Sequence, residues 1–296
     1  MNRTYFNQSS RALNKRKSVL LACATAMATL LGLSAASTKA TVLLQDGNSS
    51  VTLSTAAVTN WTIGSTSELG QESFWYRIGS SGGQSPISSL SPVTSTASDS
   101  NSNGLNDVAK FSYGSSSGFE VVVTYSLTGG QTGSKTSDLG ETIKVSNPGM
   151  SSQTFHLFEY TNFNLGGSTT GQIVTITGGN TATDDGNGLE AKTVVSPKPS
   201  EFEASNTAAS PDLLSHISSS TTAYTLADVA SAASGDGEWA FEWDITLGCD
   251  SSYVISIDKN IKATAVVVPE PAIGAIALLG LGGLFMARPR RHGKTA

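Results

Sequence analysis

Within residues 41–268, strand-like runs recur in which apolar and polar residues alternate with a period of two, the signature of strands with one buried face. The clearest case is Glu238 to Leu247. Trp239, Phe241, Trp243, Ile245 and Leu247 fall on one side, and Glu238, Glu242 and Asp244 on the other. The first set reads as core and the second as the wet side of a half-buried strand. Phe119 to Leu127, Glu141 to Ser146 and Gln172 to Thr177 carry the same alternation or are rich in β-branched and aromatic residues, and Val51–Leu53, Val58–Ile63, Phe74–Ile78, Thr154–Thr161 and Tyr253–Ile257 resemble them. Gly129-Gly130, Asn147-Pro148-Gly149 and Gly178-Gly179-Asn180 punctuate these runs as turns. A single short helix is predicted at Ser210 to Ile217, with Ser210 as its N-cap and Pro211 in its first turn. Ser80 to Ser100, rich in Ser, Pro, Gly and Thr, reads as a long surface loop.

About a dozen strands with almost no helix predict an all-β body, an antiparallel β-sandwich or jelly roll. Composition agrees: 45 Ser and 33 Thr among 296 residues, with 30 Gly, suit short strands and polar turns, and only 14% of residues are charged. The whole chain has a formal net charge of -5. Within residues 41–268, eight basic residues face 22 acidic ones, a net of 8 − 22 = −14. So acidic a body repels nucleic acid, which is excluded as a partner. Cys249 is the only cysteine after residue 23, so no internal disulfide is available there and a packed core must supply the stability.

The two ends break the pattern. Arg3, Arg11, Lys15, Arg16 and Lys17 precede an uncharged run from Val19 to Leu33, and Thr38-Lys39-Ala40 places small residues at the −3 and −1 positions of a cleavage site. Residues 1–40 therefore read as a signal peptide cut between Ala40 and Thr41, with the secretion machinery as a partner. Cys23 stands too near the start of the apolar run to serve as a lipid-modified cysteine. At the other end Pro269-Glu270-Pro271 is followed by an uncharged segment, 272–287, and then by Arg288, Arg290 and Arg291. Sixteen residues span about 24 Å as a helix, close to the ~30 Å of a bilayer core, and the arginines would stay cytoplasmic. A single C-terminal transmembrane helix is expected at 272–287.

Pro-Glu-Pro, a short apolar helix and a terminal basic cluster together resemble the PEP-CTERM sorting signal of exported bacterial proteins. The resemblance covers residues 268–294. It implies recognition of Pro269, Glu270 and Pro271, with Arg288, Arg290 and Arg291 behind them, by an exosortase-type membrane protease, and an association with extracellular polysaccharide. The division is then 1–40 signal peptide, 41–268 β-sandwich body and 269–296 sorting signal. The body also resembles uncharacterised PEP-CTERM proteins through Phe74-Trp-Tyr-Arg-Ile-Gly79, Ser137-Asp-Leu-Gly-Glu-Thr-Ile143 and Trp239-Ala-Phe-Glu-Trp-Asp244, a likeness that carries no activity.

Candidate chemistry in the body is sparse. Asp99, Asn101, Asn103 and Asp107, with Gly104 between, have the spacing of a calcium loop, although Lys110 stands where the bidentate acid belongs. The competing reading is an Asn/Ser/Gly turn, so calcium is weak and structural at most and no other cofactor is expected. Gly114-Ser-Ser116-Ser-Gly118 matches a nucleophile elbow on paper but precedes a strand instead of a helix. Glu238, Glu242 and Asp244 have a spacing that glycosidase carboxylates could use, ~6–7 Å along a strand, yet any wet strand face shows the same pattern. His156 reads as a hydrogen-bonded structural histidine, and Trp61, Trp75 and Tyr76 as the aromatics least committed to the core. The expectation is thus a non-enzymatic surface or matrix protein, sorted through its C-terminus, at first membrane-anchored and then at the cell surface or outside. The alternative is a glycan-binding module of the exopolysaccharide matrix, assisted by calcium.

Overall fold

The computed structural model describes residues 41–115, 118–210 and 212–264. The expected transmembrane helix at 272–287 and the signal peptide lie outside them. No helix among the described residues is long and apolar enough to cross a membrane.

The first strands in chain order are β1 (Val42–Asp46), β2 (Ser49–Leu53), β3 (Ala57–Ile63), β4 (Thr66–Ser67), β5 (Leu69–Ile78) and β6 (Ser85–Pro86). Next come β7 (Val93–Ser98), β8 (Val108–Gly114), β9 (Glu120–Gly129), β10 (Ser137–Asn147) and β11 (Gln153–Phe163). The last are β12 (Ile173–Thr177), β13 (Thr181–Gly186), β14 (Leu189–Ser196), β15 (Glu201–Asn206), helix α1 (Leu213–Ile217), β16 (Gly237–Leu247) and β17 (Ser251–Ala263). They form two antiparallel sheets. One runs β1-β2-β3-β5-β11-β16-β15, with β4 paired to β3 and β6 to β5; the other runs β12-β13-β14-β17-β10-β9-β8-β7. The body is therefore a sandwich.

Alternation explains how the sheets face one another. Phe155, Leu157 and Phe163 of β11 and Trp239, Phe241 and Trp243 of β16 meet Val121 and Val123 of β9 and Ile255, Ile257 and Ile261 of β17 in one apolar core. Two of the large rings have their polar tips satisfied there. Trp61 donates its indole N–H across the sandwich to Ser137 Oγ at 2.9 Å, and Trp243 donates to the Pro197 carbonyl at 2.9 Å.

The opposite face of the first sheet is covered too. Residues 212–227 cross it as a strap, in which Leu213, Ile217 and Leu226 pack on Phe158, Tyr160 and Ala240. Strands β11 and β16 are consequently buried on both faces along most of their length. The alternation that made Glu238 and Glu242 solvent-facing is corrected: both are fully buried under the strap, and of the three acids only Asp244 reaches solvent. The helix begins later than expected, at Leu213, because Asp212 is its N-cap and accepts the Ser215 N–H at 2.6 Å. Ser80–Ser100, expected to be loop, contains β6, a 3-10 turn at Ile87–Ser89 and β7, anchored by the buried Ile87.

Candidate functional site

Three neighbouring strands bring His156, Glu242, Asp244 and Arg77 together on the strapped face. In the β11–β5 register His156 pairs with Arg77, and in the β11–β16 register with Asp244. One row across the sheet is therefore Arg77, His156, Asp244. Glu242 lies two residues before Asp244, on the same side, and stands opposite Glu201 of β15. His156 Nδ1 contacts Asp244 Oδ1 directly and lies 3.5 Å from Glu242 Oε1. Arg77 is 3.8 Å from the same Glu242 oxygen and donates to the Tyr224 carbonyl at 2.8 Å. His156, Glu242 and Asp244 form the one group of three among the described residues whose ligand atoms gather closely enough for a metal ion.

The strap uses two buried acids and one half-buried acid as acceptors for its own backbone. Leu226 N–H donates to Glu242 Oε2 at 3.0 Å, Leu213 N–H to Glu238 Oε1 at 3.0 Å, and Ala227 N–H to Glu203 Oε2 at 3.0 Å. Tyr160 O–H completes Glu238 at 2.8 Å, and Tyr224 O–H completes Glu203 at 2.8 Å. Glu238 thus has a full complement of structural partners. Glu242 differs. Its Oε1 accepts no hydrogen bond, and His156 Nε2 likewise has no partner. Burial pushes the Glu242 carboxyl up to about 8 and the nearby Asp244 adds to the rise, while the Leu226 N–H and Arg77 pull it back.

A second ionic cluster sits inside the sandwich. Lys259 Nζ of β17 lies 2.9 Å from Glu141 of β10, 3.1 Å from Glu159 of β11 and 3.2 Å from Glu72 of β5, all four side chains being inaccessible to solvent. Burial raises all three carboxyls, Glu72 well above the ordinary range because Glu141 adds repulsion. Burial works against the charge of Lys259, yet the three carboxylates more than offset it and hold the ammonium protonated. Neither Arg77 nor this cluster was singled out as candidate chemistry from the sequence, although Arg77 and Glu141 lie in motifs quoted above. Period-two parity places Lys259 with Ile257 and Ile261, and Glu141 with Ile143 and Val145, and that was the available signal.

The remaining sequence candidates fall elsewhere. Asp99 accepts the N–H groups of Ser102, Asn103 and Gly104, and Asp107 accepts the N–H and O–H of Ser100. Those bonds, the Ser100 N–H foremost, hold Asp107 below the usual carboxylate range. Asn101 and Asn103 both donate to Asp46 Oδ1 at 3.0 Å. The loop is closed by its own amides, with Gly104 at φ +88° where only glycine is unstrained. Trp61 is fully buried, and Trp75 and Tyr76 are half-buried. Thr41 is the first described residue, while Ala40, Pro269, Glu270, Pro271, Arg288, Arg290 and Arg291 lie outside the described residues. A cavity of about 470 Å³ opens elsewhere, between Asn48, Thr66, Glu68, Lys135 and Asn187.

No family model and no curated protein matches the chain. Solved structures do. A bacterial glucoamylase complexed with acarbose shares the fold with a TM-score of 0.52 and 10% identity, over 84% of this chain and 35% of that one. The Slr1438 protein of Synechocystis sp. PCC 6803 matches with a TM-score of 0.51 and 12% identity, over 76% and 96% of the two chains. A protein named as an aldose 1-epimerase from Escherichia coli K12 gives 0.49 and 9%, over 76% and 99%. The likeness is one of fold. The chain spans about a third of the length of the glucoamylase. The expectation of a non-enzymatic body is nevertheless corrected, since the sandwich shares its fold with part of a glucoamylase. The inference had rested on finding no catalytic set in sequence, and the strands assemble His156, Glu242, Asp244 and Arg77 from residues up to 167 positions apart.

Proposed function

We propose that this chain is an exported cell-surface or matrix protein, sorted through Pro269-Glu270-Pro271, whose sandwich body acts on carbohydrate. The observation that carries the second half is the His156–Glu242–Asp244 cluster with Arg77 beside it. A sugar presents hydroxyls that both donate and accept, and this cluster offers carboxylate acceptors, a guanidinium donor and an imidazole able to do either. Asp244 is the solvent-touching member and so the point of entry. A carboxyl held near neutrality beside an imidazole suits proton transfer to or from a sugar oxygen. The fold shared with a glucoamylase supports the substrate class.

Two experiments test the two halves. Deleting residues 269–296 should change the partition of the protein between membrane, surface and medium; an unchanged distribution sinks the sorting half. For the body, the purified mature protein is mixed with polysaccharide from the producing culture. Saturable binding or turnover that His156→Gln abolishes supports the reading, and indifference to that substitution removes it.

A further inference from the structure

The two ionic clusters differ in one respect that bears on what the outer one holds. Inside the sandwich, three carboxylates converge on a cation that the chain supplies, Lys259 Nζ, at 2.9 to 3.2 Å. On the strapped face, Glu242 and Asp244 converge with His156 on no comparable group. Arg77 stands off at 3.8 Å from Glu242 Oε1 and spends a donor on the Tyr224 carbonyl. Glu242 is fully buried, yet Oε1, the oxygen aimed at His156, accepts no hydrogen bond, although its partner Oε2 does. A buried carboxylate oxygen without a donor loses its hydration with nothing in return and calls for an explanation.

We propose that His156, Glu242 and Asp244 bind a divalent transition-metal ion of the Zn2+ or Mn2+ class. This rests on the carbohydrate reading of the same face and names the ion that would present the sugar. Two ligands on a tetrahedral ion with bonds of ~2.0–2.2 Å lie ~3.4 Å apart. His156 Nδ1 and Glu242 Oε1 are separated by 3.5 Å. Asp244 Oδ1 touches the imidazole nitrogen directly and must swing outward by ~1 Å to share an ion at such bond lengths. Its side chain is 41% exposed, which leaves it room to do so. One imidazole with two carboxylates suits a borderline ion better than calcium, which takes oxygen ligands only. Glu201, opposite Glu242, and Asp228 beside it add negative charge at the rim. Three protein ligands leave positions open toward Asp244 and solvent, where water or a sugar hydroxyl completes the sphere.

The test uses the mature protein, stripped with chelator and titrated calorimetrically with zinc chloride, manganese chloride and calcium chloride. One equivalent of Zn2+ or Mn2+ should bind and raise the melting temperature. His156→Gln and Asp244→Asn should each weaken that binding at least tenfold, and Asp99→Asn should leave it unchanged. Asp244→Asn is the safer variant, because the residue is exposed and the fold does not rest on it. No stoichiometric binding, or binding that both variants retain, overturns the site. Polysaccharide binding is measured in parallel on metal-free and metal-loaded protein. Sugar binding that persists without any metal overturns the ion and keeps the carbohydrate reading. Metal binding with no response to sugar keeps the ion and removes that reading.

Discussion

The Lys259 cluster and the His156 cluster are both built from carboxylates beside basic side chains, the first between the two sheets and the second on the outer face of one. Lys259, Glu72, Glu141 and Glu159 point inward, are sealed from water, and join strands of both sheets. Their position favours a structural role: a charge taken out of water is tolerated because partners at hydrogen-bond distance surround it. His156, Glu242 and Asp244 point outward, one member reaches solvent, and the partner set is incomplete. What separates the two is completeness of pairing and access, not residue type.

The comparison breaks most visibly at Lys259. Lys259→Met leaves three carboxylates in the core with no cation and should cost ~3–5 kcal/mol in urea unfolding. Asp244→Asn, by contrast, should cost under ~1 kcal/mol, because Asp244 is the solvent-exposed member of its pair and an amide can still accept from the imidazole. Equal losses at the two positions would erase the distinction.

Asp184 of β13 gives a second large effect, and its sign is fixed. It is fully buried, neither oxygen has a hydrogen-bond partner, and burial, helped by Asp185 and Asp236, raises its carboxyl to about 7. A carboxyl whose folded value is raised stabilises the fold below its unfolded value, ~4, and that contribution is lost as pH climbs toward 7. Asp184→Asn should therefore be neutral near pH 4 and stabilising by up to ~3 kcal/mol at pH 8, read by thermal or urea unfolding. The raised carboxyls of Glu72, Glu141 and Glu159 push in the same direction, so the wild-type protein should weaken on the alkaline side.

The strap supplies a prediction of intermediate size. Leu226 packs its side chain on the outer face and gives its N–H to Glu242. Leu226→Ala should cost ~2–3 kcal/mol and speed hydrogen exchange across residues 212–227 ahead of the central strands. Uniform acceleration over the whole sandwich would mean that the strap is not a separate unit of stability.

Much of the fold could be read from alternation alone. The aromatic face of Trp239, Phe241 and Trp243 was identified from parity and is core, because a period of two admits only one assignment once one face is apolar. Parity cannot say whether the other face is wet. Glu238 and Glu242 looked solvent-facing because acids on a strand usually are, and only the strap, residues 212–227, makes them interior. The site was illegible for the same reason. Arg77, His156 and Glu242 are 79 and 86 positions apart in sequence, and the register that unites them depends on which strands neighbour β11. At Asp99 to Asp107 the signal was local instead: the spacing suggested an ion loop, and there Asp99 accepts the Ser102 and Gly104 N–H groups and Asp107 the Ser100 N–H.

The most direct test is saturation binding of the culture's own polysaccharide to wild-type protein and to His156→Gln, with unfolding curves recorded for both. Saturable binding by the wild type, lost in the variant while its unfolding curve stays within ~1 kcal/mol of the wild type, is the outcome expected if the outer cluster handles carbohydrate. Equal binding by the two proteins, or none by either, would contradict it.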